Sequence, residues 1–217
     1  MTEATCARLI ILLAIFLTPG GAWGQGDEIS FARYQLGPLP PEFNTQWRTG
    51  EGPPGTWAVV ADPSAMHGKV VAQTSTDQTD YRFPLAVYEG LTAEDLEVSV
   101  RIKAVSGTVD QAGGLAVRLT SPNDYYVVRA NALEDNVRFY RVVKGKREQL
   151  DGKKVKVTSG EWHSLALHAE GDQFTISYDG AQLFTVADRT FRGVGKVALW
   201  TKADSVTYFD AFEVAPE

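Results

Sequence analysis

The chain has 217 residues, of which 44% are hydrophobic, 11% aromatic and 22% charged, with a formal net charge of −6. That balance fits a folded globular protein and excludes disordered and fibrous classes. With 27 acidic against 21 basic residues, nucleic acid or an anionic membrane surface is not the expected partner. One cysteine allows neither an internal disulfide nor a cysteine-based zinc site.

Residues 1–24 read as a secretory signal peptide. Arg8 directly precedes the apolar run Leu9–Leu17, Thr18-Pro19-Gly20-Gly21 interrupts any helix, and Ala22-Trp23-Gly24 sets small residues at the −3 and −1 positions before Gln25. A run that short, at about 1.5 Å per residue, cannot cross a hydrocarbon core of about 30 Å. Export to a periplasmic or extracellular space is therefore expected, with no stable membrane insertion after cleavage. Cys6 precedes the apolar run, which speaks against a lipoprotein anchor, and it leaves with the signal.

Residues 25–56 are read as an irregular N-terminal segment with an edge strand, because Pro38, Pro40, Pro41, Pro53 and Pro54 forbid central strands. Residues 57–217 carry the main sandwich, with one domain beginning near residue 30. From Trp57 the periodicity is close to two, and Gly, Asn and Asp punctuate it every 8–12 residues. Leu96–Ile102 and Leu115–Thr120 alternate cleanly; Tyr125–Asn131 and Val137–Lys144 follow across the turn Glu134-Asp135-Asn136. Trp162–Ala169, Phe174–Tyr178 and Gln182–Val186 form a meander, with Asp179-Gly180 as its hairpin signal. Gly195–Trp200 and Val206–Val214 close the chain, and a single helical turn is expected near Thr92–Asp95. A dozen or so short strands without crossover helices predict an all-β antiparallel sandwich of about 12–14 strands.

Several chemistries lack their residues. His163 and His168 are five apart on one strand, hence on opposite faces, and no P-loop, nucleophile elbow or dinucleotide fingerprint occurs. The Glu-x-Asp-x-Glu spacing that would aim two carboxylates at one glycosidic bond is missing. Asp210 and Glu213, three apart in a strand, are expected on opposite faces. The basic stretch from Lys144 to Lys156 reads as a solvated hairpin with lysines guarding an edge.

One sheet face carries a polar and aromatic set. With Leu115, Val117 and Leu119 inward, Arg118 points out. With Tyr126, Val128 and Ala130 inward, Arg129 and Asn131 point out. By the same alternation Arg138 and Tyr140 point out opposite Val137 and Phe139, as do Trp200 and Lys202 opposite Val197 and Leu199. Planar donors and flat rings gathered on one face suit a sugar, whose vicinal hydroxyls and apolar ring face they match.

The segments Gly113–Arg118, Asn123–Arg129, Val137–Gly145, Glu161–Leu165, Tyr178-Asp179-Gly180, Gly195–Thr201 and Tyr208–Val214 together resemble the concanavalin A-like lectin/glucanase superfamily. Within it, the pattern is similar to laminin G-like and fructan-binding modules and to 3-keto-disaccharide hydrolase-like domains. The resemblance implies a jelly-roll sandwich whose concave sheet binds carbohydrate, with Arg118, Arg129, Asn131, Tyr140 and Trp200 as groove residues and Asn123-Asp124-Tyr125 as a rim loop. It also implies a possible structural calcium ion, for which Asp210 is the position of interest, and no other cofactor. The expected function is an exported carbohydrate-binding domain. The alternatives are a hydrolase or lyase acting on 3-keto-disaccharides or glycosides, its acid or base drawn from Asp124, Glu134 or Asp204, and a non-catalytic envelope interaction domain.

Overall fold

The computed structural model describes residues 27–217; the signal segment lies outside the described residues. Seventeen strands and one 3-10 turn (Phe31–Arg33) make up the regular structure. The N-terminal third supplies β1 (Asp27–Ile29), β2 (Gly37–Pro38), β3 (Phe43–Asn44), β4 (Arg48–Gly50), β5 (Trp57–Ala61), β6 (Lys69–Gln73) and β7 (Arg82–Ala93). Then come β8 (Leu96–Ser106), β9 (Ala112–Ser121), β10 (Asp124–Asn131), β11 (Asn136–Val143) and β12 (Lys146–Lys154). Last are β13 (His163–Glu170), β14 (Gln173–Tyr178), β15 (Ala181–Ala187), β16 (Gly195–Thr201) and β17 (Val206–Pro216). The strand total exceeds the expected number because β1 to β4 are only two or three residues long.

Two antiparallel sheets face each other. One runs β15-β14-β13-β8-β17-β6-β5-β2, with β1 beside β17; the other runs β12-β11-β10-β9-β16-β7-β3, with β4 also on β7. Between them lies the main core, where Leu115, Val117, Tyr126, Val128, Phe139, Val197 and Leu199 meet Val98, Val100, Leu165, Leu167, Phe174, Ile176 and Phe209. These are the alternate residues the periodicity assigned inward. The Asp179-Gly180 hairpin has φ of 48° and 76°, the paired positive values that match the right-handed strand twist.

One expectation is corrected here. Residues Thr92–Asp95 form no helical turn; Thr92 and Ala93 end β7 instead. Strand β7 itself has no alternation to betray it, since Arg82 to Val87 are all buried. Its outer face lies under a second apolar cluster of Phe83, Leu85, Val87, Ala116, Tyr125, Val127, Tyr140, Val142 and Trp200, with Trp47 packed against it. A strand covered on both sides reads as a continuous apolar run.

Bulges change two side-chain directions. At Arg118 (φ 49°) the β9–β16 register shifts, so Leu119 turns to the outer cluster and Arg118 turns toward the opposite sheet. At Ala211 (φ 46°) the β17–β8 register shifts, pairing Asp210 with Arg101 and Glu213 with Ser99. Asp210 and Glu213 therefore share the outer face of their sheet rather than lying on opposite sides.

Candidate functional site

On the outer face of the β12–β3 sheet, side chains close one diagonal. Tyr81, just before β7, donates to the Gly145 carbonyl (2.9 Å) and accepts from the Arg147 amide (2.9 Å), which ties β7 to the β11–β12 turn. Thr49 of β4 donates to the Pro122 carbonyl (2.6 Å) in the β9–β10 turn and lies 2.6 Å from the Tyr125 hydroxyl. Beneath this bridge Trp200 stacks on Phe83 at 5.3 Å and points its indole N–H at the Tyr125 hydroxyl, 3.3 Å away. Trp200 is fully buried, so its ring faces protein rather than solvent. Burial pushes the Tyr125 phenol up to about 12 despite its bonds to Thr49 and Trp200.

Beyond the bridge, a polar group stands on β10, β11 and the turn joining them. The register sets Trp200, Gly114, Arg129, Arg138 and Gly152 side by side on successive strands. A Cβ on Gly114 would run into the Val128 carbonyl and lie 2.9 Å from Arg129 Cβ, so only glycine lets β9 and β10 approach here. Arg129 is 2% exposed. It donates to Asn136 Oδ1, to Glu134 Oε2 (2.7 Å) and to the Tyr140 hydroxyl (3.1 Å). Asn136 Nδ2 also donates to Glu134 Oε2 (3.1 Å), and Arg138 lies 3.5 Å from the same oxygen. Burial alone would raise the Glu134 carboxyl, but the Arg129 charge and the Asn136 amide outweigh it and hold the group below its usual range. Glu134 and Arg138 still present 42% and 36% of their side chains to solvent. The result is a fixed donor–acceptor array on the outer face of the sheet, at the β10–β11 turn.

Lys202 and Asn131 share the neighbouring corner. Lys202 bridges Asp80 (2.6 Å) and Asp110 (2.9 Å), and Asn131 donates to Asp110 at 2.5 Å. Asn131 also caps the β10–β11 turn by accepting from the Leu133 and Glu134 amides. Arg129, Asn131, Tyr140, Trp200 and Lys202 therefore lie on one sheet face, but the first four are buried and only Lys202 is partly exposed.

Arg118 is elsewhere. Turned by its bulge, it donates to the carbonyls of Glu94 (3.0 Å), Phe191 (3.1 Å) and Gly171 (2.6 Å) and to Asp95 (3.1 Å), above the Phe174 ring. It binds the two sheets together across their ends.

The three carboxylates considered as acid or base are already engaged. Asp124 accepts from Ser121 Oγ (2.7 Å) and the Lys144 amide (2.9 Å). Asp204 accepts from the Thr108, Val109 and Asp110 amides and from the Thr108 hydroxyl. Burial would raise the Asp204 carboxyl; these bonds outweigh it and lower the group instead. Asp124 and Glu134 flank β10 at opposite ends, seven or more residues apart at about 3.3 Å each, well beyond the roughly 5–10 Å of a glycosidase pair.

Asp210 does not suit calcium. One oxygen accepts from the Met66 amide (2.8 Å) and pairs with Arg101 (3.1 Å), and the other accepts from the Ala211 amide (3.0 Å). A neighbouring guanidinium repels a cation. Among the described residues no group of three or more His, Cys, Asp or Glu could hold a metal ion.

The sequence reading missed Arg147. Its guanidinium lies 4.6 Å from the Phe83 ring centre, 4.5 Å from Tyr140 and 5.9 Å from Trp200. The only sequence signal was its place in the basic stretch from Lys144 to Lys156, which reads equally well as edge protection.

Comparison with known proteins agrees with this architecture. The pattern of the β-xylosidase C-terminal concanavalin A-like domain matches residues 40–197. The carbohydrate-binding module CBM66 from Bacillus subtilis superposes with a TM-score of 0.60 at 22% identity, covering 79% of this chain and 96% of that one. Domain 4 of AbnA, a GH43 extracellular arabinanase from Geobacillus stearothermophilus in complex with arabinotriose, gives 0.57 at 14% identity, covering 87% and 90%. A putative glycosyl hydrolase from Parabacteroides distasonis gives 0.50 at 12%, covering 84% and 100%. No curated protein matches significantly. The two-sheet architecture and the match over most of the chain place this protein in the β-xylosidase C-terminal concanavalin A-like domain family.

Proposed function

We propose that the chain is an exported, non-catalytic carbohydrate-binding domain that holds glycan at the open rim of its concave sheet, beside Tyr140. The observation that carries this is the array of Arg129, Glu134, Asn136, Arg138 and Tyr140. Arg129 is buried and fixes Glu134 and Tyr140 in place, while Glu134 and Arg138 reach solvent. Fixed, charged donors and acceptors near an aromatic ring match the vicinal hydroxyls of a sugar without an ordering cost at each contact. Asp124, Glu134 and Asp204 are committed to turns and an ion pair, which fits binding rather than bond cleavage. The N-terminal signal pattern supports export, and no helix among the described residues is long and apolar enough to cross a membrane.

The test is affinity electrophoresis or calorimetry against a panel of neutral and acidic oligosaccharides. At least one class should bind, and Glu134→Gln should weaken it about tenfold or more, the expected loss for a hydrogen bond to a charged group. That variant should melt lower, because Arg129 loses its carboxylate partner, so binding is measured at a temperature where its melting curve shows it folded. Failure of every glycan to bind the folded protein would overturn the proposal.

A further inference from the structure

Resting on the carbohydrate-binding reading, we infer that the β10–β12 half of the concave face recognises a sugar bearing carboxylate groups, a uronic-acid-containing oligosaccharide, with Arg147, Arg138 and Lys154 as the carboxylate-binding residues. The argument starts from charge. The chain as a whole is −6, yet this half-face sets Arg129, Arg138, Arg147 and Lys154 against Glu134, while Asp110 and Asp80 at the adjoining corner are held by Lys202. Register fixes the grouping: Val142 pairs with Arg147, Tyr140 with Gln149, Arg138 with Gly152 and Asn136 with Lys154. Because Tyr140 and Val142 belong to the outer apolar cluster, their partners on β12 face the same way. A local field opposite in sign to the net charge concentrates anions at that spot.

A second observation is independent of the charge count. Among the described residues Arg147 has no acidic partner, and its buried Nη1 has no hydrogen-bond acceptor. Its cation is instead held near three rings, Phe83, Tyr140 and Trp200, which satisfy its charge but leave the Nη1 N–H unmatched. A buried donor without an acceptor is costly, and a planar guanidinium is matched bidentately by a carboxylate. Gly152 adds a structural reason for the spacing. A Cβ there would lie 2.7 Å from Arg138 Cγ, so the glycine lets the Arg138 stem lie across the edge strand. Lys154 is exposed and unpaired among the described residues. Arg138 already faces Glu134, but a neutral sugar would leave Arg147 and Lys154 unanswered.

The experiment compares oligogalacturonate with its methyl ester, which has the same backbone without the charges. The acid form should bind at least about tenfold tighter, the difference expected when a hydrogen bond to a charged group is removed. Its affinity should fall as salt rises from 50 to about 500 mM, as the Debye length shrinks. Arg138→Gln and Lys154→Gln should each reduce acid binding severalfold; the Lys154 side chain is exposed, so that variant should keep the melting temperature of the parent. Arg147→Gln should remove most of the preference, with a melting curve to confirm that its aromatic cage still folds. Equal binding of acid and ester would overturn the inference and leave the carbohydrate reading standing. Binding of a single-stranded oligonucleotide as tightly as the uronate would also overturn it, by showing an unselective polyanion patch. Silence across acidic, esterified and neutral sugars alike would instead sink the carbohydrate reading beneath it.

Discussion

Arg118 is 1% exposed and donates to three carbonyls and one carboxylate drawn from the β7–β8 turn, the β13–β14 turn and the loop before β16. Arg118→Ala would strand those acceptors, and we expect a loss of about 3–4 kcal/mol in chemical denaturation with no change in glycan affinity per folded molecule. Arg118→Lys should recover only part of it, because one ammonium cannot reproduce the planar fork. Trp200 belongs to the same category despite its promise as a stacking platform: it is 0% exposed, and Trp200→Ala should cost about 3–5 kcal/mol. Lost binding in that variant would report unfolding, which is why Glu134, Arg138 and Lys154 are the informative positions. Their types and alternation were visible in the sequence; the identity of the buried and the open members was not, because cover comes from Thr49 and Tyr81 far along the chain.

At the scale of elements, the strands of the meander and the Asp-Gly hairpin were legible because one face of each is wet and the other dry. Strand β7 was not, since both of its faces are dry. Nor were the bulges, because Arg118 and Ala211 take positive φ without a glycine to announce it. The glycine that permits the first bulge is across the ladder. A Cβ on Gly195 would lie 2.5 Å from Arg118 Cα and 2.7 Å from the Leu119 nitrogen. Backbone cannot yield as a side chain can, so Gly195→Ala should destabilise by about 1–3 kcal/mol or more, measured by urea midpoint at unchanged m-value.

For the whole molecule, titration sets the limits of stability. Asp62, Glu134, Asp188 and Asp204 each suffer burial that would raise the carboxyl, and in each the partners outweigh it and the folded value is lowered. A lowered carboxyl stabilises the fold above its unfolded value near 4, and that stabilisation is lost as pH falls through the folded value. Thermal melts should therefore decline below about pH 4, and Asp204→Asn should flatten that acid limb while lowering the melting temperature at pH 7. Burial also raises the Tyr125 and Tyr126 phenols to about 12. Their neutral forms favour the fold fully below about pH 10, and this is lost as pH rises toward 12. Tyr125→Phe should shallow the alkaline limb; an unchanged limb would show that Tyr125 does not set it.

The sequence by itself determined the two-sheet sandwich, because alternation with a period of two is imposed by the pleat and needs no knowledge of partners. It also determined which residue types would crowd one face. Only the tertiary structure decided which of them are available. A bulge at Arg118 reverses its direction, a bridge from Thr49 and Tyr81 seals Trp200 away, and Arg147 is drawn from an edge strand over the outer apolar cluster. Direction after a bulge depends on a backbone angle, and cover depends on contacts across 60 or more positions. Neither leaves a periodic trace in the chain.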